Sequence, residues 1–355
     1  MPHLLSSAQS LNLVDSLNRL DLFRPFSSSQ PKSTATLLCI AILLAQSTPS
    51  LASSSSKRGL VDITTLGNAI QDDAVITAPG SDLSWYYNYG PTATPSLASQ
   101  KNLQFSPMLW GEANSGNFMS TVESQIHGGA NITSVLSFNE PDGCGNTGGA
   151  CMQPSAAASI WKAQLEPLRS KYGIKVGMPA ITSSQTGLTW LQSFMTYCDG
   201  GCNPDFLTIH YYGDFGGMAS WIGQMNASYL SNVTSGMWIT EFAYANQDLN
   251  DTQAYYNQTT EYLDRLDYIE RYSYFGSFRS SVSNVGPNVA MFDSTGKLTA
   301  IGNSYMGGNF SGATPNMGAG AAPSTTTTTS GAPGSFAFSG AAAIVASCIA
   351  GLLAW

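Results

Sequence analysis

Charge is scarce in this chain: Asp, Glu, Lys and Arg together make up 10% of its 355 residues, against roughly 25% in ordinary soluble domains. Basic side chains are the scarcer kind, 14 against 22 acidic, which gives a net charge of −8 with no long Lys/Arg run. Sequence-independent binding to nucleic acid needs basic side chains to neutralise phosphates, so that class is excluded. Attraction to an anionic membrane surface is disfavoured for the same reason. Histidine occurs only 3 times, and no two stand at ligand spacing, so no metal centre is expected. No glycine-rich phosphate fingerprint follows the first predicted strand, which weakens a dinucleotide-binding reading, and no cofactor is expected. Repeats at solenoid or propeller spacing are also absent. What is plentiful is apolar: 43% hydrophobic residues, with 16 Tyr, 15 Phe and 7 Trp, beside 35 Gly and 17 Pro. That composition supports a sizeable core with many tight connections and excludes global disorder.

The two ends read as targeting segments. An apolar run from Leu37 to Ala45 follows Lys32 and leads to Ser50-Leu51-Ala52, the pattern of a secretory h-region with cleavage after Ala52. About ten apolar residues are too few to span a bilayer core as a helix. A signal anchor is the rival reading. Lys57-Arg58 resembles a dibasic processing site, so residues 53–58 are expected to be a short propeptide-like segment. At the other end, a Ser/Thr-rich stalk over 311–330 leads to Ser330-Gly331-Ala332, a short spacer and the apolar run Ala341 to Trp355. This is the three-part pattern of a glycosylphosphatidylinositol (GPI) signal, with attachment at Ser330 and removal of 331–355. A single C-terminal span is the alternative. Trimmed to 59–330, the chain has nine basic and 20 acidic side chains, a net charge of −11.

Trimming also leaves four cysteines in a chain routed to an oxidising compartment, so disulfides are expected. Short local loops favour Cys144 with Cys151 and Cys198 with Cys202; a zinc site is disfavoured because the spacing matches no standard finger. Acceptor sequons stand at Asn131, Asn226, Asn232, Asn250, Asn257 and Asn309.

Between the ends, short apolar runs alternate with longer amphipathic ones. Strands are predicted over Gly59 to Ile63, Leu83 to Tyr87, Leu103 to Leu109, Ser134 to Phe138, Ile174 to Met178, Asp205 to His210, Met237 to Thr240 and Tyr272 to Phe275. Helices are clearest at Ser155 to Tyr172, Leu188 to Tyr197 and Thr252 to Arg271. This α/β alternation suits a single (β/α)8 TIM barrel over 59–310, and a doubly wound open sheet also fits. Within it, Glu140 ends the fourth strand and Glu241 the seventh. Strand C-termini converge on one face of a barrel, so these carboxylates can meet across its mouth. Glycoside cleavage with retention of configuration needs such a pair, one to donate a proton and one to attack the anomeric carbon.

The segments Trp85-Tyr86-Tyr87-Asn88, Pro107-Met108-Leu109-Trp110-Gly111, Phe138-Asn139-Glu140-Pro141-Asp142, His210-Tyr211-Tyr212-Gly213 and Trp238-Ile239-Thr240-Glu241-Phe242 resemble glycoside hydrolase family 128. That family contains fungal wall-associated β-1,3-glucanases and alkali-sensitive-linkage-like proteins, and the resemblance runs over roughly residues 58–308. It implies Glu140 as acid/base, Glu241 as nucleophile and Asn139 as a hydrogen-bonding partner of the sugar 2-hydroxyl.

Other residues carry binding expectations from their own chemistry. Asp142 either caps its loop, touches substrate or tunes Glu140. His210 is placed to bond sugar or the nucleophile. Trp85, Tyr87, Trp110, Tyr212 and Phe242 lie at or just past strand ends, where aromatic faces could stack on pyranose rings. Trp161, Trp190 and Trp221 sit in helical patterns and are expected to pack in the core.

The leading expectation is a secreted, GPI-anchored, monomeric retaining endo-β-1,3-glucanase acting on wall glucan, a neutral polysaccharide. The alternatives are a non-catalytic glycan-binding or structural wall protein and a glycosidase acting on another neutral wall glycan. If the tail is read correctly, phosphatidylinositol-specific phospholipase releases the protein from cell membranes. Recovery from the medium alone contradicts that reading.

Overall fold

The computed structural model describes residues 55–63, 69–145 and 147–317. The expected secretory region, Ser330 and the anchor signal lie outside these residues. No helix among the described residues is long and apolar enough to cross a membrane.

Among the described residues eight strands mostly alternate with helices, β2 and β3 following one another directly. The strands are β1 (Arg58–Val61), β2 (Trp85–Tyr87), β3 (Gln104–Phe105), β4 (Ser134–Val135), β5 (Lys175–Val176), β6 (Leu207–Tyr212), β7 (Met237–Ala243) and β8 (Ile269–Tyr274). The helices are α1 (Ala69–Ile76), α2 (Phe118–His127), α3 (Pro154–Gln164), α4 (Glu166–Tyr172), α5 (Gln185–Cys198), α6 (Phe215–Tyr229), α7 (Leu249–Arg265) and α8 (Ala300–Tyr305). Every strand pairing is parallel. Six strands form one sheet in the order β3-β2-β1-β8-β7-β6, and β4 and β5 form a second. Single parallel bridges, Met108 to Leu136 and Gly177 to Phe206, stand between them. The α/β alternation and parallel sheet match expectation; a continuous eight-stranded ladder does not form.

Helix boundaries follow local chemistry. Side chains of Ser184, Asp214, Asp248 and Thr299 accept backbone N–H bonds at the starts of α5, α6, α7 and α8. In α7 the buried set Thr252, Tyr255, Tyr256, Thr259 and Leu263 recurs at three- and four-residue spacing, which turns one face to the sheet. The single helix expected from Ser155 to Tyr172 is instead two, broken at Leu165, where Pro167 in the first turn of α4 cannot continue a preceding helix. The helix expected through Arg271 stops at Arg265, and β8 begins at Ile269, three residues before its predicted start.

The domain limits also need correction. Lys57 Nζ donates to the carbonyls of Leu263, Asp264 and Leu266 at 3.2, 3.0 and 3.0 Å, closing the C-terminus of α7. Arg58 is buried, and its guanidinium donates to the carbonyls of Ser304 and Tyr305 at the end of α8, at 2.8 and 3.3 Å. Cations complement the orphan carbonyls and partial negative charge at helix C-termini. This pair is therefore built into the fold, which argues against a processing cut after Arg58. The folded unit also runs past 310: Thr299 bridges Ala313, and Ser280 Oγ donates to the Asn316 carbonyl.

At the N-terminal end of the strands, Trp238 stacks on Phe206 at 4.0 Å, and Trp85 lies 5.1 Å from Trp238. The Arg271 guanidinium sits 4.3 Å from the Trp238 ring centre and 5.5 Å from that of Trp85, so a half-buried cation rests on two π faces. Gly59 pairs with Trp85 and permits the indole to lie across the β1 backbone; any Cβ there would overlap the ring. Gly59→Ala is expected to lower stability by roughly 1–3 kcal/mol through overpacking. Equilibrium denaturation measures this, and an unchanged midpoint refutes the packing account.

Candidate active site

Three buried side chains, Glu140 beyond β4, His210 in β6 and Glu241 in β7, meet toward the C-terminal ends of the strands. Glu140 Oε1 lies 3.1 Å from His210 Nδ1, and Glu241 Oε2 lies 3.5 Å from the same nitrogen. Nearest ligating atoms of the three residues all fall within 4.8 Å of one another.

Local structure places each of them. Glu140 lies beyond β4, where Asn139 N–H donates to the Trp110 carbonyl at 2.9 Å and Glu140 N–H to the Ala180 carbonyl at 2.7 Å. Its φ of +40° is in the left-handed region that non-glycine residues seldom occupy. The chain then folds back under it: Gly143 N–H donates to the Glu140 carbonyl at 2.8 Å, and a Cβ on Gly149 would overlap that same oxygen. Cys144–Cys151 closes this loop, and Cys198–Cys202 closes a turn after α5. Glu241 is aimed by a bulge. Ile209 pairs with Ile239 but His210 pairs with Glu241, so the register slips by one residue where the site begins.

Two phenols hold Glu241. Tyr212 donates to Oε2 and Tyr89 to Oε1, each at 2.6 Å. Glu140 is held differently: its Oε1 faces His210, while Oε2 is buried with no protein partner. Asn139 Oδ1 and His210 Nε2 are likewise buried and unpartnered within the protein. Three such atoms on neighbouring residues mark a place where an external polar group would be satisfied.

Burial raises the Glu140 pKa to about 7; the His210 hydrogen bond and charge oppose that rise, and the charges of Glu241 and Asp142 add to it. For His210, burial acts downward, but the charge of Glu241 and the contact with Glu140 outweigh it and the net shift is upward. Glu140, His210 and Glu241 are also the set that could hold a cation. Both Glu241 oxygens, however, already accept phenol hydrogens, and Glu140 Oε1 already faces His210.

The remaining expectations divide. Asn139 and Tyr212 are at the site, and Trp110 is half-buried beside it. Asp142 serves its loop: Thr182 N–H and Oγ1 donate to its carboxylate, whose charge helps keep Glu140 protonated. Trp85, Tyr87 and Phe242 are corrected from platforms to core. All three are fully buried. Trp85 lies deep on Trp238, the Tyr87 hydroxyl donates to the Thr240 carbonyl at 2.8 Å, and Phe242 packs on Tyr272 and Tyr274. Phe242 neighbours Glu241 in a strand, so it faces the helices when Glu241 faces the site. Trp161, Trp190 and Trp221 are buried as expected. Tyr89 was not singled out from the sequence. Its signal was the alternation Trp85, Tyr87, Tyr89, which carries one inward face past the end of β2.

A family profile described as glycosyl hydrolase catalytic core matches residues 64–305. Alkali-sensitive linkage protein 1 of Schizosaccharomyces pombe is 32% identical over 260 residues, 71% of this chain; the chain spans 44% of that relative's length. A curdlan-specific exo-β-1,3-glucanase of GH128 subgroup III from Blastomyces gilchristii, solved with glucose, has a TM-score of 0.57 at 25% identity, over 72% of this chain and 99% of that one. A GH128 subgroup IV endo-β-1,3-glucanase from Lentinula edodes has a TM-score of 0.56 at 25% identity, over 70% and 99%. The fold extends to a GH128 subgroup VII oligosaccharide-binding protein from Trichoderma gamsii, at 23% identity and a TM-score of 0.53, over 72% and 94%.

The raised Glu140 pKa sets a pH dependence. Folded, Glu140 keeps its proton to about pH 7, whereas its ordinary value is 4.5. The native state therefore binds more protons in that window, and stability falls as pH rises from 4.5 to 7. Glu140→Gln removes this loss and is expected to raise stability by roughly 1–3 kcal/mol at pH 8, with a smaller gain near pH 4.5. Thermal melts at the two pH values check this; an equal gain at both contradicts the linkage.

Proposed function

The chain belongs to glycoside hydrolase family 128, and from that premise we propose that it is a retaining endo-β-1,3-glucanase acting on wall β-glucan. The observation that carries this reading is the unequal treatment of two facing carboxyl groups. Glu140 is buried with a raised pKa and an unshared oxygen, as a proton donor requires. Glu241 accepts one phenol hydrogen on each oxygen, as an oriented carboxylate nucleophile requires. Their closest ligating oxygens stand within 4.8 Å, which suits retention, where carboxyl groups lie about 5–5.5 Å apart, rather than inversion, where the gap is about 6.5–9.5 Å.

In this reading the eight strands act as the ring of a (β/α)8 barrel whose mouth holds the reaction. Glu140 protonates the glycosidic oxygen while Glu241 attacks the anomeric carbon. Glu140, now ionised, then takes a proton from the water that hydrolyses the glycosyl ester. His210 sits between the two carboxyl groups and offsets their repulsion as the proton leaves Glu140. Asn139 Oδ1 is placed to accept from a sugar hydroxyl, the 2-hydroxyl in this assignment. Trp110, Tyr212 and Tyr89 are half-buried and supply the aromatic surface beside the pair. The proposal includes a cell-surface, GPI-anchored glycoprotein, a reading supported by the secretory, anchor and sequon patterns of the sequence.

Digestion of laminarin is the test. The parent is expected to release a ladder of oligosaccharides, with Glu140→Gln and Glu241→Gln each losing at least about a thousandfold in rate. Glucose alone as the product would instead indicate exo cleavage. Binding without release from any β-glucan would favour the glycan-binding alternative. Azide rescue of Glu241→Ala is expected to give a glycosyl azide of inverted configuration; retained configuration contradicts the nucleophile assignment.

A further inference from the structure

Tyr89 occupies a loop held in place with unusual care. Asn88 Nδ2 donates to the Thr92 carbonyl and to Thr94 Oγ1, both at 2.9 Å, and Gly90 N–H returns to Asn88 Oδ1 at 3.2 Å. Gln125 Nε2 ties the same loop to α2 through the Pro91 carbonyl at 2.7 Å. Tyr89 has φ of +60°, a conformation that non-glycine residues seldom adopt and that persists where surrounding structure imposes it. The turn directs its ring edge-on against Tyr87, 5.2 Å away, and its hydroxyl onto Glu241.

The two oxygens of Glu241 are not equally provided for. Oε2 has the Tyr212 hydroxyl at 2.6 Å and His210 Nδ1 at 3.5 Å. Among the described residues, Oε1 has the Tyr89 hydroxyl alone. Burial and the charge of Glu241 hold the Tyr89 phenol well above its ordinary pKa, so it remains a donor.

We propose that Tyr89 is a positioning residue for the second half of the reaction, holding Glu241 so that it can leave the glycosyl ester; this rests on the retaining glycosidase reading above. In the first half, a Glu241 oxygen bonds the anomeric carbon, the glycosidic C–O bond breaks, and its electron pair goes to the leaving oxygen, which takes the proton of Glu140. The Glu241 charge is thereby spent, and the phenols bond a neutral ester only weakly. In the second half, water attacks the anomeric carbon and gives its proton to Glu140, the ester C–O bond breaks, and the electron pair returns to Glu241. A full negative charge reappears on a buried carboxylate. Donors already aimed at it stabilise the transition state without reorganisation. Without Tyr89, Oε1 would regain charge unpaired, whereas loss of Tyr212 would leave His210 beside Oε2.

The experiment compares the parent, Tyr89→Phe and Tyr212→Phe using 2-deoxy-2-fluoro-β-laminaribiosyl fluoride, with trapping and reactivation followed by intact mass. Tyr89→Phe keeps the ring packing but leaves a buried carboxylate oxygen without its phenol, so it is expected to fold and to melt somewhat below the parent. Reactivation should slow about ten- to a hundredfold, trapping much less, and Tyr212→Phe should slow reactivation less than Tyr89→Phe does. With an activated aryl laminaribioside, kcat and KM should fall together as the intermediate accumulates. Should Tyr89→Phe fold incompletely, the ratio of reactivation to trapping still reports on the folded fraction alone. Equal slowing of both steps, or no slowing, overturns the inference. A parent that releases no sugar and traps no probe overturns the glycosidase reading and this inference with it.

Discussion

Two carboxyl groups that share a buried space with one imidazole set the constraint on which the rest depends. At the 4.8 Å limit between their closest ligating atoms, two full negative charges would repel by roughly 3 kcal/mol at an effective dielectric of 20, before either pays for losing water. The protein resolves this asymmetrically. Glu140 stays protonated because burial outweighs the pull of His210, and the charge of Glu241 reinforces that outcome. Glu241 is held differently, accepting one phenol hydrogen on each oxygen. His210, in contact with both, makes the exchange of a proton between roles tolerable. Two residues of one type thus acquire different partners from their surroundings.

Holding that geometry demands local sacrifices which the framework absorbs. Glu140 carries a left-handed backbone, Tyr89 another, and the β6–β7 ladder loses a register step at His210. Each is supported by neighbours with little freedom of their own. Gly149 lies under the Glu140 carbonyl, Cys144–Cys151 closes the loop containing it, and Trp190 Nε1 fixes the Met152 carbonyl at 2.6 Å just beyond. Farther away, the interior is packed with aromatic rings and helix ends are capped by side chains. Strain concentrated at the site therefore rests on a frame that follows ordinary rules, which is the expected distribution for a functional fold.

How much of this could be read from residues alone follows the same division. Parallel strands alternating with amphipathic helices were legible because burial imposes periodicity, and Glu140 and Glu241 were legible because each ends an apolar run. The aromatic platforms were only partly so. Trp85, Tyr87 and Phe242 share composition and strand-end placement with Tyr212, but the distinction lies in depth along the strand and in which face they take, and both follow from register rather than residue type. Lys57-Arg58 misled for a related reason: a basic pair in an extended segment looks exposed until the helix ends that receive it are known. Tyr89 was missed because its role arises from a turn with positive φ, which no local apolar pattern announces.

The scarcity of charge, finally, bears on what such a cleft can accept. Basic side chains are largely committed to internal ties. Lys57 and Arg58 close helices, Arg169 grips Asp205 at 2.9 Å, Arg279 grips Asp72 at 2.8 Å, and Arg271 lies between indoles. No Lys or Arg figures among the groups that shift Glu140 or His210. An acidic polymer beside Glu241 would meet its negative charge with His210 as the nearby basic group, and burial leaves that repulsion little screened. A neutral polymer meets no such penalty: it offers hydroxyls to the orphaned oxygens of Asn139 and Glu140, and C–H faces to half-buried rings. Few charges, most of them tied up elsewhere, leave the Glu140–Glu241 pair as the dominant field in its own site. That field fits the neutral glucan of the proposed function better than an acidic polymer.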